Sequence, residues 1–276
     1  MNVSSRFDVA GFGVIVTGGA SGLGLAYGEV LAAHGARVTL IDVDAAGVAE
    51  QASRLQGEGL DVRAAVADVT DHTVLDRAID GAAEVYGRLD VAFANAGIDP
   101  GVGFVGAWAG GERPRVDEGA LERYTDERWN RVIDINLSGV FATARAAARH
   151  MRPRRFGRII VTTSLAATKV EPAIGSAYMV AKAGARHLTH CIALELAGYG
   201  ITANAIAPGF FVTNIGGGHA HNPDVQAALA KEIPMHRVGQ PDDIKALALF
   251  LASPASEYIT GQEIMIDGGW GIGRAD

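Results

Sequence analysis

Tyr178 and Lys182 stand four residues apart in the run AYMVAK, 177–182. On a helix that spacing puts both on one face, one turn apart. The residues around them are small or apolar, so a phenol and an ammonium share a surface that otherwise reads as packed. One arrangement has both polar ends reaching for water along apolar stems. The other is chemical: a proton donor beside the charge that tunes it. A free tyrosine titrates near ~10 and is a poor base at neutral pH, whereas general acid–base catalysis favours a pKa near the working pH. Lowering it by about 3 units requires roughly 4 kcal/mol of added stabilisation of the phenolate, and nearby positive charge is the natural source.

Such a pair needs a rigid frame. Short apolar or β-branched runs at 13–17, 37–41, 62–66, 90–94, 158–163, 201–207 and 263–266 predict strands. They are continuously apolar, as strands buried on both faces should be. Helix-length segments fall between them near 22–34, 44–56, 72–86, 125–152, 177–198 and 241–252. This alternation predicts an α/β fold, a parallel sheet covered on both faces. No linker, repeat or low-complexity tract interrupts it, so residues 1–276 are expected to form one domain.

The first predicted strand runs into TGGASGLG, 17–24, and a helix follows at once. Gly18, Gly22 and Gly24 supply torsional freedom and close backbone approach, and the helix N-terminus offers free N–H groups to a pyrophosphate. A structural turn would look the same in isolation, but a glycine turn between a first strand and a first helix points to a dinucleotide. Asp42 ends the second strand eighteen residues after Gly24, where an acid can accept hydrogen bonds from an adenosine ribose. Its carboxylate would repel a 2′-phosphate, and the glycine turn holds no Lys or Arg to attract one, so NAD is expected over NADP. The bland alternative has Asp42 capping the next helix, a task open to Asp44 as well.

Composition narrows the classes further. The net charge of −7 argues against a broad nucleic-acid surface. The basic run at 149–158 reads as a solvated helix end. The single cysteine, Cys191, can form no internal disulfide and is expected to pack as a small hydrophobe. No apolar run approaches the ~20 residues of a membrane span. The N-terminus lacks the apolar core of a signal peptide. A soluble, cytoplasmic protein without a membrane partner is expected.

Taken in order, these motifs resemble the short-chain dehydrogenase/reductases of the non-extended type, over about residues 10 to 270. The glycine pattern, with Gly18, Ser21, Gly22, Leu23 and Gly24, is similar to the family's cofactor turn. ADVTD resembles its segment after the third strand, with Asp68 and Val69 toward adenine. NAG (Asn95, Ala96, Gly97) matches the turn after the fourth strand, and NLSG carries the helix asparagine, Asn136. Ser164 follows the fifth strand, and Tyr178 with Lys182 forms the Y-x-x-x-K signature. PGFFVT resembles the carboxamide loop, with Pro208, Gly209, the backbone of Phe211 and the hydroxyl of Thr213. The resemblance implies a Rossmann-like, doubly wound seven-stranded sheet, bound NAD and hydride transfer between a secondary alcohol and its ketone. In that reading Tyr178 is the acid/base and Lys182 tunes it and holds the nicotinamide ribose. Ser164 holds the substrate oxygen, and Asn136 holds a water linking Lys182 to solvent. A homo-oligomer, tetramer or dimer, pairing the long central helices is also implied. Fourteen residues separate Ser164 from Tyr178, where many members have thirteen or so, and the extra residue is expected to bulge into the loop bordering the substrate.

Two segments could choose a substrate. An excess of chain at 99–122, with Phe104 and Trp108, is either a flap over the substrate or a neighbouring subunit, or a mobile surface insertion. The segment 210–237 corresponds to the family's lid, with three consecutive glycines as a hinge and an apolar start through Phe210, Phe211, Val212 and Ile215. His219 and His221 form an H-x-H pair without further ligands, so no metal is expected. An apolar lid favours a cyclic or aromatic alcohol. The rival readings are an NADP-dependent carbonyl or 3-oxoacyl reductase and a non-catalytic dinucleotide-binding sensor.

Overall fold

A computed structural model describes residues 3–99, 101–106, 114–215 and 218–273. Its seven strands are β1 (Gly13–Thr17), β2 (Arg37–Asp42), β3 (Val62–Val66), β4 (Val91–Ala94), β5 (Gly157–Thr162), β6 (Ile201–Pro208) and β7 (Glu263–Ile266). They form one parallel sheet in the order β3-β2-β1-β4-β5-β6-β7. The order reverses between β1 and β4, which opens a crevice at the carboxyl ends of these strands. The helices are α1 (Gly22–Ala33), α2 (Ala45–Gly57), α3 (His72–Tyr86), α4 (Asp126–Ile133), α5 (Gly139–Arg154), α6 (Ser176–Leu196), α7 (Pro223–Ala230) and α8 (Lys245–Ala252). One apolar cluster packs α3, α5 and α6 on one face of the sheet, and a second packs α1, α2 and α8 on the other. The expected doubly wound sheet is therefore present, with Asp44, Asp71, Thr125 and Asn222 capping α2, α3, α4 and α7 through their side chains.

Several expectations are corrected. The central strands β1, β4, β5 and β6 are buried throughout, but the edge strands β3 and β7 are not, because only one neighbour and incomplete helix cover reach them. The long helix anticipated at 125–152 is interrupted by a π turn, Asp134–Ser138, between α4 and α5. Cys191 is exposed rather than packed. The buried stripe of α6 runs through Ala181, Lys182, Ala185, Thr189 and Ala193, and position 191 falls on the opposite side of that helix. The basic run is not simply solvated: Arg149 and His150 bond to Asp76 and Asp80 of α3. Among the described residues no helix is long and apolar enough to cross a membrane.

Asp90 fastens the sheet below the site. Its carboxylate is fully buried, accepts from the backbone N–H of Gly13 at 2.8 Å and from both ends of the Arg88 guanidinium at 2.5 and 2.7 Å. Removing it strands a buried N–H and unpairs a cation. Asp90→Ala is expected to lower stability by about 3 kcal/mol, read as a lower urea midpoint with an unchanged slope.

Candidate active site

The polar floor lies where β1, β4 and β5 end. Asn95, just past β4, donates from Nδ2 to the carbonyls of Thr17 (3.0 Å) and Gly18 (3.2 Å), and its Oδ1 accepts from the Thr162 hydroxyl at 3.0 Å. Its backbone N–H donates to Thr17 Oγ1 at 3.1 Å. The Asn95 side chain is thus engaged with protein and sets the shape of the cofactor turn. Gly18 and Gly22 sit at φ of +69° and +55°, and a Cβ on Gly24 would lie 2.0 Å from the Gly18 carbonyl oxygen. Ala96 backs Gly18 so closely that a Cβ there would come within 2.9 Å of its Cα. Only glycine fits, and the bare backbone at the start of α1 forms a cradle suited to a pyrophosphate. Ser21 is the extended residue before α1 and Leu23 packs on the core behind it.

Asp42 Oδ2 accepts from the N–H of Ala20 at 2.9 Å and Oδ1 from that of Asp44 at 3.0 Å. The helix cap belongs to Asp44, which accepts from Gly47. Asp42 therefore stands at the tip of β2 and ties it to the glycine turn. Asp68 is exposed and accepts from both N–H and hydroxyl of Thr70, while Val69 is buried against Gly139, the first residue of α5.

Lys182 is 3% exposed, and its Nζ donates to the Thr162 carbonyl at 2.8 Å. The ammonium lies 5.5 Å from the centroid of the Tyr178 ring. Burial without a counter-charge lowers the Lys182 pKa to about 8. The Tyr178 residue keeps part of its surface open, but its phenol is crowded by protein. Burial pushes it up to about 12, against a hydrogen bond with Ser164 that pulls it down, and the charge of Asp99 raises it further. In the protein without cofactor, desolvation sets the phenol, and the expected lowering by Lys182 together with an oxidised nicotinamide belongs to the cofactor-bound state. Ser164 Oγ also accepts from the Ala166 N–H at 3.1 Å, which starts a 3₁₀ turn, Leu165–Ala167.

The π turn explains Asn136. A π turn admits one extra residue and re-aims a side chain, a device common at functional sites. Asn136 Nδ2 donates to the carbonyls of Ile98 and Val132, each at 3.1 Å, while its buried Oδ1 has no protein partner. A Cβ on Gly97 would lie 2.7 Å from that Oδ1 and 3.5 Å from Lys182 Nζ. The orphaned acceptor and the ammonium therefore face one small polar space beside Gly97.

The segment expected as a lid, 210–237, follows β6, which ends at Pro208. Gly209 abuts Asp267, and Phe211 forms a one-residue parallel bridge with Gly239. That bridge uses the Phe210 carbonyl and the Val212 N–H, so the peptide groups of Phe211 point to the other side. Thr213 is 9% exposed, and a Cβ on Gly22 would reach within 3.4 Å of it, so this loop closes over the glycine turn. His221 bonds to Asn214, and among the described residues no His, Cys, Asp or Glu cluster forms a metal site. Gly216, Gly217, Trp108 and the side chain of His219 lie outside the described residues.

Three features leave little trace in the sequence. The described part of the insertion is docked: Gly103 N–H donates to Ala173 and Val105 N–H to Pro172, at 3.0 and 3.1 Å, on the loop leading to Tyr178. Arg128 of α4 secures it by donating to the Val102 and Glu118 carbonyls. Trp270, past β7, packs against the cluster of Val212, Ile233 and Val238, as Phe210 does, with Lys169 against its ring. The one sequence signal for Trp270 is a large aromatic directly after the closing IDGG motif.

A buried, unpaired ammonium costs stability. The folded protein binds fewer protons than the unfolded chain between about 8 and the ordinary 10.5, so its stability rises as pH climbs through that window. Lys182→Met removes the penalty. The cofactor-free variant is expected to gain roughly 3 kcal/mol at neutral pH, with the gain fading toward pH 10.5. Urea midpoints taken near neutrality and near the upper end of that window check both sign and slope.

Known proteins of similar pattern agree with this architecture. A family model described as enoyl-(acyl carrier protein) reductase matches residues 18–271. Galactitol 2-dehydrogenase (L-tagatose-forming) of Cereibacter sphaeroides is 35% identical over 99% of this chain and 100% of its own. 3beta-hydroxysteroid dehydrogenase 1 of Eggerthella lenta is 34% identical over 95% of this chain and 94% of its own. The crystal structure of a gluconate 5-dehydrogenase from Burkholderia cenocepacia, in complex with NADP and tartrate, superposes with a TM-score of 0.85 at 33% identity, covering 98% of each chain. With its parallel sheet, glycine turn and Y-x-x-x-K helix, and with a match of this extent to such relatives, the chain belongs to the short-chain dehydrogenase/reductase family, as an oxidoreductase of CH–OH groups that uses a nicotinamide dinucleotide.

Proposed function

We propose that the protein is an NAD-dependent dehydrogenase that interconverts a cyclic or aromatic secondary alcohol and its ketone, with Tyr178 as acid/base. The observation that carries this reading is the convergence of Tyr178, Ser164, Lys182 and the orphaned Asn136 Oδ1 at the ends of β4 and β5. When bound, the nicotinamide gives or takes the hydride and, in its oxidised form, adds positive charge to the site. Ser164 donates to the substrate oxygen and holds it beside Tyr178. A phenol at about 12 is neutral at physiological pH and suited to protonate a ketone oxygen. As a base it requires positive charge, and Lys182 is the resident source. The two Lys182 N–H groups not used on Thr162 are available to ribose hydroxyls and a water. That water donates to Asn136 Oδ1, which leads the proton toward solvent past Gly97.

Coenzyme choice rests on Asp42. The gluconate 5-dehydrogenase neighbour was crystallised with NADP, so the preference must be read from this chain's own residues. Asp42 is fixed by two backbone N–H groups at the tip of β2, and its charge opposes a 2′-phosphate there. The substrate reading rests on the apolar lid wall of Phe210, Val212, Ile233 and Trp270. It is supported by a relative named for a ring-borne hydroxyl, though another is named for an open-chain polyol. Exposed Phe141, Val180 and Leu194 on α5 and α6 support a homo-oligomer paired through these helices.

Nicotinamide reduction by a panel of secondary alcohols tests the reading. Turnover is expected with NAD and to fall by a factor of about a thousand or more in Tyr178→Phe. Turnover that survives in this variant removes Tyr178 from the mechanism, and tight NAD binding without turnover of any alcohol favours a sensor. Asp42→Ala is expected to shift the kcat/KM ratio toward NADP by roughly tenfold or more. An ultraviolet titration, wild type against Tyr178→Phe, should place the phenol near 12 in the free protein and distinctly lower with oxidised dinucleotide bound.

A further inference from the structure

Lys169 lies five residues after Ser164, and its N–H donates to the Leu165 carbonyl at 3.0 Å, so it belongs to the turn that begins at the proposed substrate-holding serine. Its ammonium is 3.4 Å from the Trp270 carbonyl oxygen and 5.0 Å from the centroid of the indole. The side chain is half-buried. Trp270 is part of the apolar lid wall, and Gly271 stands so near Leu165 that a Cβ there would lie 2.8 Å from Leu165 Cδ1. The catalytic turn, the lid and the segment after β7 therefore meet at this ammonium. Lys245 shows what this chain does with a cation of similar burial, bridging Glu29 and Asp242. Among the described residues Lys169 has no ion-pair partner; a long bond to one carbonyl and the face of one indole are weak compensation.

We propose that Lys169 and Trp270 form a carboxylate subsite at the far wall of the substrate chamber, so that the substrate is a hydroxy acid whose carboxylate lies several bonds from the carbinol. This deepens the proposed function and rests on it. The indole covers an apolar spacer while the ammonium pairs with the anion, at one end of an otherwise apolar wall. One ammonium suits a monoanion; a phosphate would call for a second cation, and Arg237 of the lid is already paired in bidentate fashion with Asp243. Asp99 acts on Tyr178 electrostatically, in the sense that disfavours negative charge at the phenol.

The test compares para-(hydroxyethyl)benzoate with its primary amide, and a ladder of hydroxyalkanoates with their amides, in wild type, Lys169→Met and Lys169→Arg. The subsite predicts a preference for acid over amide of about ten- to hundredfold in kcat/KM, the worth of one charge-assisted hydrogen bond. The preference should grow as the carboxylate moves away from the carbinol. Lys169→Met should abolish it through KM with kcat little changed, and Lys169→Arg should restore most of it. Equal use of acid and amide, or a preference that survives Lys169→Met, overturns the proposal. Calorimetric binding of the same pairs to Tyr178→Phe with NAD decides the same question without turnover. A failure of hydride transfer with every alcohol would then be seen separately from a failure of the subsite.

Discussion

The site is organised around a charge held where charge is expensive. The Lys182 ammonium is sealed between α6 and the end of β5 with one protein acceptor, the Thr162 carbonyl. Taking an ammonium out of water costs several kcal/mol unless a partner compensates, and none is supplied by a carboxylate. The fold holds it there because the buried stripe of α6 lies flat on the sheet, and because β5 ends at that level. Everything else polar in the site borders this group: the Tyr178 ring beside it, Asn136 across the gap at Gly97, and Thr162 below, joined through Asn95 to the glycine turn. The packed core on both faces of the sheet offsets the cost of this arrangement.

The second constraint is close approach. Gly18, Gly24 and Gly97 each lie where a methyl group would meet backbone or a side-chain amide, and Gly22 adopts a positive φ. At Gly18 and Gly24 the missing side chains let the turn lie against the end of β4, where Asn95 joins the two. The resulting floor is backbone-built and rigid. Above it stand longer excursions outside the sheet: the docked insertion, the segment 210–237 and the residues after β7.

The sheet is legible in the sequence because its strands are short, apolar and separated by helices of ordinary length, so periodicity alone yields their number and the two-sided cover. What periodicity does not carry is exposure at β3 and β7, since sheet order decides which strands have one neighbour. The π turn at Asp134–Ser138 leaves no mark in the hydrophobic pattern, which continues through it, although Asn136 is identifiable from its motif. The glycine turn and Asp42 are legible as chemistry. Their partners, Thr17, Thr162 and Asn95, act through bonds between residues more than sixty positions apart. The raised phenol is hidden because sequence spacing reveals the neighbouring cation and not the desolvation that opposes it. The exposure of Cys191 is hidden for a simpler reason, since a mixed helix tells its buried side only by phase.

The docking of the insertion has a consequence for how such a protein can change over generations. Its described residues hang on backbone hydrogen bonds to Pro172 and Ala173 and on Arg128, and they touch none of the seven strands through the sheet ladder. Gly103 and Gly119 are stacked so closely that neither admits a side chain, so the described ends of the excursion are pinned at these two positions. Surface connections as a class accept gain and loss of residues, whereas replacement at such pinned roots must displace backbone. Selection can therefore act on the length of this connection while the strands and the helix that carries Tyr178 and Lys182 keep their places.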